Sequence, residues 1–219
     1  MTQSTATDLE RGVAAFQAGS PVLIHDFDDR EGETDLVYPA GAVSPTDVAR
    51  MRNDAGGLIC VALSAGVADA FSLPFLHDAL SHPATTTDHL GYDDRSSFSL
   101  PVNHRATYTG ITDTDRARTI TELARAAAAP DEVEFASEFR SPGHVHLLRA
   151  ARDLLSERQG HTEFAVALAE AADLPPTVVV CEMLDDETGH ALTPVAARDY
   201  ASRHGVPYLE GARLLERLG

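Results

Sequence analysis

The chain has 219 residues, of which 17 are basic and 34 acidic, giving a formal net charge of −17. This length favours one domain with a sizeable core, since domains usually span about 100–200 residues. The acidic balance argues against nucleic acid and anionic membranes as partners, because both require clusters of Lys or Arg. The two cysteines are far apart in the sequence, so we expect no disulfide. The chain contains no apolar run long enough for a transmembrane helix, and its first residues lack the basic and apolar stretches of a signal peptide, so we expect a cytoplasmic protein.

All 17 basic residues are arginine. A large net charge of one sign destabilises a compact chain by self-repulsion, and concentrated salt screens that repulsion. We therefore expect adaptation to a salt-rich cytoplasm, as in a halophile. A GC-rich genome would also favour Arg over Lys, but it would not explain the excess of acidic residues.

The predicted elements alternate between helices and apolar strands. Thr7 and Glu10 form a capping box for the first helix, and Ser44 followed by Pro45 opens the second. In chain order we predict a helix over 7–19, strands at 22–24 and 36–38, a helix over 44–54, a strand at 58–63, a helix over 112–128, a strand at 144–148, a helix over 161–171, a strand at 177–181 and a helix opening at 193–194.

Near-continuous apolar strands between helices indicate a sheet with both faces covered. Residues 77–97 and 130–143 read as loops between regular elements, and no linker or repeat divides the chain. We predict one domain over residues 1–219, of the α/β class (α+β type), built as a layered sandwich with a mixed sheet covered by helices.

Five of the eight residues 28–35 are carboxylates, directly after a predicted strand. Crowded oxygen ligands at a strand end suit a hard cation such as Mg²⁺. A solvated acidic loop is an equally good interpretation in so acidic a protein.

A second motif runs from Arg158 through Gly160, His161 and Thr162 into an apolar helix. Free backbone N–H groups at a helix start attract anions, and an arginine and a hydroxyl would add to a phosphate site. An ordinary helix start capped by His161 or Thr162 is the alternative.

Two further positions suit proton transfer. Pro142 and Gly143 predict a turn that delivers His144 at the start of a strand, and Glu182 directly follows the apolar run 178–181. Ligands of open α/β sheets lie at strand ends, which favours a role for Glu182. A histidine exposed in a turn and a glutamate emerging into solvent remain the alternatives.

Together these motifs resemble the 3,4-dihydroxy-2-butanone 4-phosphate synthase family. The resemblance rests on Asp-Arg-Glu-x-Glu at 29–33, Pro-Gly-His-Val at 142–145, Gly-His-Thr-Glu at 160–163 and Cys-Glu at 181–182, and it extends from about residue 21 to 209. It also includes the stretches 56–60 and 110–116. Within the acidic motif, Gly32 stands where the family usually has Asn, and Thr34 stands where it has Gly. The sequence looks like a stand-alone synthase, without the cyclohydrolase domain of bifunctional members.

The resemblance implies a lyase that converts D-ribulose 5-phosphate into 3,4-dihydroxy-2-butanone 4-phosphate and formate with Mg²⁺ or Mn²⁺, one or two ions per site. It also implies a homodimer with active sites at the subunit interface. Glu31 and His161 would bind the metal, and His144 and Glu182, with Asp35 and Glu33, would be catalytic. The implied substrate-binding residues are Arg30, Glu31, Asp35, Arg158, Gln159, Gly160, His161, Thr162 and Glu182, with Cys60 nearby.

Two other functions fit parts of this pattern. Another Mg²⁺-dependent sugar-phosphate isomerase or aldolase would share the metal and the phosphate site but release no formate. A catalytically inactive metabolite-binding relative would share the fold, although it would have no need to retain Glu31, His144, His161 and Glu182 together.

Overall fold

The computed structural model describes residues 7–85, 91–93 and 95–219. Residues 86–90 and 94 of the predicted loop 77–97 lie outside the described residues, as do residues 1–6. The helices are α1 (Asp8–Gln17), α2 (Pro45–Arg50), α3 (Ala65–Ala70), α4 (Leu76–Ala79), α5 (Asp113–Ala128), α6 (Phe135–Glu138), α7 (His161–Ala171), α8 (Pro194–His204) and α9 (Gly211–Leu218). The strands are β1 (Val22–His25), β2 (Thr34–Pro39), β3 (Cys60–Leu63), β4 (Phe98–His104), β5 (Phe139–Arg149), β6 (Thr177–Glu182) and β7 (Tyr208–Glu210).

The strands form one mixed sheet in the order β4-β5-β3-β6-β2-β1-β7. The β3–β5 and β1–β7 pairs are parallel, and the other neighbours are antiparallel. The register places Asp35 opposite Glu182 and Cys60 opposite Val180. The start of β2, the start of β3 and the end of β6 therefore meet at the same edge of the sheet.

Both faces of this sheet are buried. On one face, β-strand side chains such as Val61 and Val179 pack against α2, α5 and α8. On the other face, Val37, Ala62 and Val180 pack against α1, α7 and α9. These two layers explain the near-continuous apolar strands, and the predicted layered sandwich with a mixed sheet is confirmed.

Local signals placed several helices well. The side chain of Thr7 accepts a hydrogen bond from the backbone N–H of Glu10, and the reciprocal bond completes the predicted capping box. Ser44 caps α2, whose last turn continues as a π-helix over Met51–Ala55. No helix in the described part of the chain has the length and apolar character needed to cross a membrane.

The prediction of a buried strand from residue 58 was wrong at its start, because β3 begins at Cys60. Leu58 is 42% exposed, and its backbone N–H donates to the side chain of Glu182, at the end of β6, rather than to a backbone carbonyl. Leu58 is therefore held by a side chain and not by the backbone hydrogen bonds of the sheet.

The prediction that residues 130–143 form a loop was also wrong. The segment contains a 3-10 turn at Pro130–Glu132, helix α6 and the start of β5. Phe135 and Phe139 stack with ring centroids 4.6 Å apart, and this contact holds the segment against the core.

Pro142 and Gly143 do not form the predicted turn but lie within β5. The β4–β5 register shifts between Val102 and Asn103, a bulge that accommodates the missing N–H of a proline in a strand. His144 therefore lies within β5, beside the bulge in its pairing with β4, rather than at the start of a strand.

Candidate active site

The β1–β2 connection, residues 26–33, forms what we call the acidic loop. The buried carboxylate of Asp26 organises it, because it accepts hydrogen bonds from the backbone N–H groups of Glu31 and Glu33, at 3.2 and 3.0 Å. Asp26 also pairs with Arg30 at 3.3 Å. Three donors on one carboxylate turn the loop so that Glu31 and Glu33 face the edge of the sheet.

Gly32 has a φ of +69°, which lies in the left-handed region. Glycine adopts this conformation freely, and asparagine is among the few other residues that tolerate it. The replacement of the usual Asn by Gly therefore suits the geometry of the loop. Thr34 lies in β2, where its hydroxyl is 3.1 Å from Nδ1 of His25.

Helix α7 brings His161 onto the acidic loop. Nδ1 of His161 lies 3.1 Å from Oε2 of Glu31, and Nε2 lies 3.8 Å from Oδ1 of Asp35. One donor atom each from Asp26, Glu31 and His161 falls within 4.8 Å of the others. Since Asp26 is already occupied by three donors, Glu31 and His161 are the better pair to hold a cation.

Burial and charge perturb the pKa values of this cluster. Burial, reinforced by Glu182, Glu31 and Glu33, raises the pKa of Asp35 to about 8. Burial alone would lower the pKa of His161, but the carboxylates of Asp35 and Glu31 raise it to about 9. The two groups lie close enough for the charge of each to shift the pKa of the other.

The flanking carboxylates respond in opposite directions. Burial works to raise the pKa of Glu31, but the hydrogen bond and charge of His161, with the charge of Arg30, lower it overall. Burial, together with the charges of Glu31 and Glu182, raises the pKa of Glu33. The site thus holds carboxyl groups with differing proton affinities, an arrangement typical of acid–base chemistry.

Glu182 closes the opposite side of the site. Its Oε2 accepts a hydrogen bond of 2.7 Å from the backbone N–H of Leu58. A side chain at Gly57 would place its Cβ 2.5 Å from both the backbone oxygen and Oε2 of Glu182. The absence of a side chain at Gly57 therefore lets the chain approach Glu182 closely enough to make this bond.

Two guanidinium groups meet beside the N-terminus of α7. Asp93 joins them: its Oδ2 accepts from Nη2 of Arg30 at 2.9 Å and from Nε of Arg158 at 2.5 Å. Gly160 is the N-cap residue of α7, and among the described residues no side chain caps this helix start. The alternative of a cap by His161 or Thr162 was therefore wrong, and the geometry suits an anion.

These groups surround one cavity of about 290 Å³, a volume suited to a small metabolite. Of the predicted site residues, it is lined by Arg30, Glu31, Glu33, Asp35, Cys60, Arg158, His161, Thr162 and Glu182. Gln159 is exposed, Gly160 is buried behind the arginines, and His144 lies outside the cavity. Burial raises the pKa of Cys60, as expected of an inert thiol.

The segment before β4, for which the sequence predicts no role, forms one wall of the cavity. Its lining residues are Tyr92, Arg95, Ser96 and Ser97, and Phe98 at the start of β4 continues this wall. The alternation of apolar and polar residues from Phe98 to Val102 is a strand signal that could have located β4. The contact of Asp93 with the two arginines has no signal in the local sequence.

Comparison with known proteins identifies the family. The model of 3,4-dihydroxy-2-butanone 4-phosphate synthase matches residues 10–217. The chain belongs to the 3,4-dihydroxy-2-butanone 4-phosphate synthase family. It is 51% identical to the synthase of Archaeoglobus fulgidus, over 95% of this chain and 93% of that protein. It is 43% identical to the synthase of Methanothermobacter thermautotrophicus, over 95% and 94% of the two chains.

Solved synthase structures share the fold. The Candida albicans enzyme superposes with a TM-score of 0.80 at 29% identity, covering 97% of this chain and 98% of that one. A synthase in complex with two magnesium ions gives a TM-score of 0.78 at 30% identity, covering 91% of each chain. The recognition of the synthase family from four short motifs is thereby confirmed.

Proposed function

We propose that the protein converts D-ribulose 5-phosphate into 3,4-dihydroxy-2-butanone 4-phosphate and formate, a step of riboflavin biosynthesis. The observation that supports this most strongly is one cavity that combines a pair of arginines at a helix start with a cluster of carboxyl groups around a histidine. The first part suits a phosphate, and the second suits repeated proton transfers. The two products together contain all the atoms of the substrate, so the reaction needs no oxidant or reductant.

Glu31 and His161 would hold the metal ion, Mg²⁺ or Mn²⁺. The fit is chemical: a carboxylate and an imidazole stand 3.1 Å apart beside Oδ1 of Asp35, a buried oxygen that forms no hydrogen bond to the described residues. A bound divalent cation would polarise adjacent oxygens of the sugar. The two ions of the related structure support one or two ions per site.

Asp35, Glu33 and Glu182 would move the protons. Burial raises the pKa of Asp35, so this carboxyl group binds a proton more readily than an ordinary aspartate and would exchange one with a hydroxyl of the substrate. Glu33 lines the same cavity and also has a raised pKa. One oxygen of Glu182 is fixed by the N–H of Leu58, which orients the carboxyl group toward the cavity.

Arg30, Arg158 and Thr162 would bind the phosphate, with the backbone of Gln159 and Gly160 beside them. The guanidinium groups supply charge, and the N-terminus of α7 supplies N–H donors and the positive end of the helix dipole. This arrangement would place the phosphate at one end of the cavity and the carbons that react near Asp35 and Glu182.

His144 would act in the site of a second subunit. It is exposed on β5, where its Nδ1 lies 3.2 Å from Nδ2 of Asn103 in the neighbouring strand β4, and it does not line the cavity of its own chain. Exposed apolar side chains lie on both parts of the chain: Tyr108, whose backbone oxygen accepts from Arg140 on β5, and Leu58, whose N–H donates to Glu182. A homodimer that joins these surfaces would bring His144 to the site of its partner.

Mixing two inactive variants tests this arrangement. A His144→Ala subunit keeps Glu182, and a Glu182→Gln subunit keeps His144, so a mixed dimer contains one intact site if His144 acts across the interface. After dissociation and reassociation of equal amounts, we expect about a quarter of the wild-type activity, since half of the dimers are mixed and each has one intact site. If the mixture is no more active than the two variants alone, the interfacial role is refuted.

The reaction itself is tested by incubating the purified protein with ribulose 5-phosphate, with and without Mg²⁺, in multimolar KCl and measuring formate. Formate that appears with the metal and is abolished by a chelator supports the synthase. Consumption of the sugar phosphate without formate would support an isomerase or aldolase instead. A folded protein that consumes no substrate would be a metabolite-binding relative.

We also place the protein in the cytoplasm. The described cysteines, Cys60 and Cys181, are free and buried, as is usual in a reducing compartment. Fractionation of the source cells with an antibody against the protein tests this location.

A further inference from the structure

Arg158 lies between two carboxylates that belong to different parts of the fold. Its Nη1 donates to Oε2 of Glu163 at 2.7 Å, and its Nε donates to Oδ2 of Asp93 at 2.5 Å. The arginine side chain is 16% exposed and lines the cavity. Glu163, which belongs to α7, therefore fixes Nη1 of the Arg158 guanidinium, and the remaining edge of the guanidinium is left toward the cavity.

Glu163 is completely buried and does not line the cavity. Its Oε1 accepts a hydrogen bond of 2.9 Å from the backbone N–H of Ala151, and its Oε2 accepts from Arg158. A buried carboxylate is tolerated when it is paired and hydrogen-bonded in this way. It also lies in the first turn of α7, where the helix dipole favours a negative charge.

We propose that Glu163 is a positioning residue that orients the guanidinium of Arg158 for the phosphate group of the substrate. Arginine has a long, flexible side chain, and binding a phosphate requires its planar N–H groups to be held in one direction. Glu163 provides that restraint from behind the cavity without touching the ligand. The inference rests on the proposed function, because it assumes that Arg158 binds the phosphate.

Glu163→Gln is the matched substitution. The amide oxygen keeps the hydrogen bond from the N–H of Ala151, and the amide NH₂ replaces the acceptor that faces Arg158. We expect the KM for ribulose 5-phosphate and the dissociation constant of inorganic phosphate each to rise about tenfold, while kcat changes less than threefold, because the lost restraint affects binding of the phosphate end. The affinity for Mg²⁺ should not change.

Glu122→Gln serves as the control. It removes an ion pair of the same length, 2.7 Å to Arg125, on α5 and outside the cavity. Both constants should match those of the wild type. If Glu163→Gln leaves the KM and the phosphate constant unchanged, or lowers kcat alone, the positioning role is refuted.

Glu163→Asp covers the case in which the glutamine variant fails to fold. It keeps the buried charge but draws it back by one methylene, so phosphate binding should again weaken while far-ultraviolet circular dichroism stays native. Unchanged phosphate binding in this variant would refute the inference. Calorimetric binding of inorganic phosphate separates the two proposals: a wild type that binds phosphate but releases no formate would refute the reaction and leave this test intact.

Discussion

At the scale of single residues, the site depends on backbone donors that fix carboxylates in place. The N–H of Leu58 fixes Glu182, and the N–H groups of Glu31 and Glu33 bind Asp26. Such bonds hold an acid in one orientation without neutralising it. A carboxyl group positioned in this way can exchange protons with a substrate at a defined atom.

Replacing Glu182 by glutamine should abolish turnover while preserving binding. The amide oxygen can still accept from Leu58, so the shape of the site is kept, but the side chain no longer exchanges protons. We expect kcat to fall at least about 100-fold, the usual contribution of a general acid or base. Steady-state formate release and calorimetric titrations with Mg²⁺ and inorganic phosphate check this. Full activity of the variant would remove Glu182 from the mechanism.

His146 should make stability depend on pH. Burial, and then the charge of His144, lowers its pKa below 6.5, and its buried Nδ1 has no hydrogen-bond partner among the described residues. The unfolded chain therefore binds a proton here more readily than the folded one, so stability falls as the pH drops through 6.5 toward the lowered pKa. Unfolding free energies at pH 7.5 and 5.5 should differ less in His146→Phe than in the wild type.

The control for this comparison is His190→Gln, which changes an exposed histidine in the connection between β6 and α8. It should retain the pH dependence of the wild type. Equal pH dependence in the wild type and in His146→Phe would contradict the assignment.

At the scale of elements, three segments meet around Arg30 and Arg158: the acidic loop, the start of α7 and the segment before β4. Asp93 links them by pairing with both Arg30 and Arg158. A carboxylate in this position occupies N–H groups that a phosphate would use. A phosphate bound by these arginines, as proposed, would have to displace the carboxylate of Asp93.

Asp93→Asn should tighten phosphate binding. The substitution removes a negative charge that competes for the two arginines, so we expect the dissociation constant of inorganic phosphate to fall about threefold to tenfold. This change is opposite in sign to the one expected for Glu163→Gln, although both acids contact Arg158. Calorimetric titration of the two variants side by side checks both, and weaker binding by Asp93→Asn would show that this acid also supports the arginines.

The sequence predicted those elements whose signals are local. Helix α7 matched its predicted bounds because a glycine precedes an unbroken apolar helix, and Thr112 and Thr193 cap α5 and α8. Strand β4 was missed although its residues alternate between apolar and polar, because Pro101 lies within the run and proline argues against a strand. The proline is tolerated because β4 is an edge strand, which need not donate at every position. The short β7 becomes a strand through its parallel pairing with β1, a contact that no local pattern encodes.

The same distinction separates the parts of the site that could be predicted. The acidic loop and the start of α7 are contiguous motifs, and the structure brings their side chains to one cavity. Asp93 and Glu163 act on Arg158 through distances set by the fold. The sequence motif Gly-His-Thr-Glu includes Glu163. The burial of this residue and its contact with Arg158, however, depend on the packing of α7 against the segment around Ala151.

At the scale of the whole molecule, charge is the dominant feature. The chain has 34 acidic residues against 17 arginines, so half of the acids lack a basic counterpart in a one-to-one count. Some arginines serve two acids, as Arg125 does with Glu122 and Glu138. Such pairs relieve repulsion locally and leave the net charge unchanged.

We predict that concentrated salt stabilises the protein. At 1 M ionic strength the Debye length is about 3 Å, so repulsion between surface carboxylates is largely screened. The free energy of unfolding should rise between low and multimolar KCl, as measured by thermal or denaturant unfolding at several salt concentrations. Stability that does not vary over this range would rule out salt adaptation and leave genome composition as the reason for the absent lysines.

The close approach of Gly57 to Glu182 also affects what a duplicated copy of the gene can tolerate. Any side chain at this position would collide with the backbone oxygen and the carboxylate of Glu182. A duplicated gene that drifts away from its original role can therefore keep all of the acidic and histidine motifs and still encode a disabled protein, through a single codon change at 57. A copy whose codon 57 no longer encodes glycine can therefore be set aside before any protein is made, however complete its other motifs are.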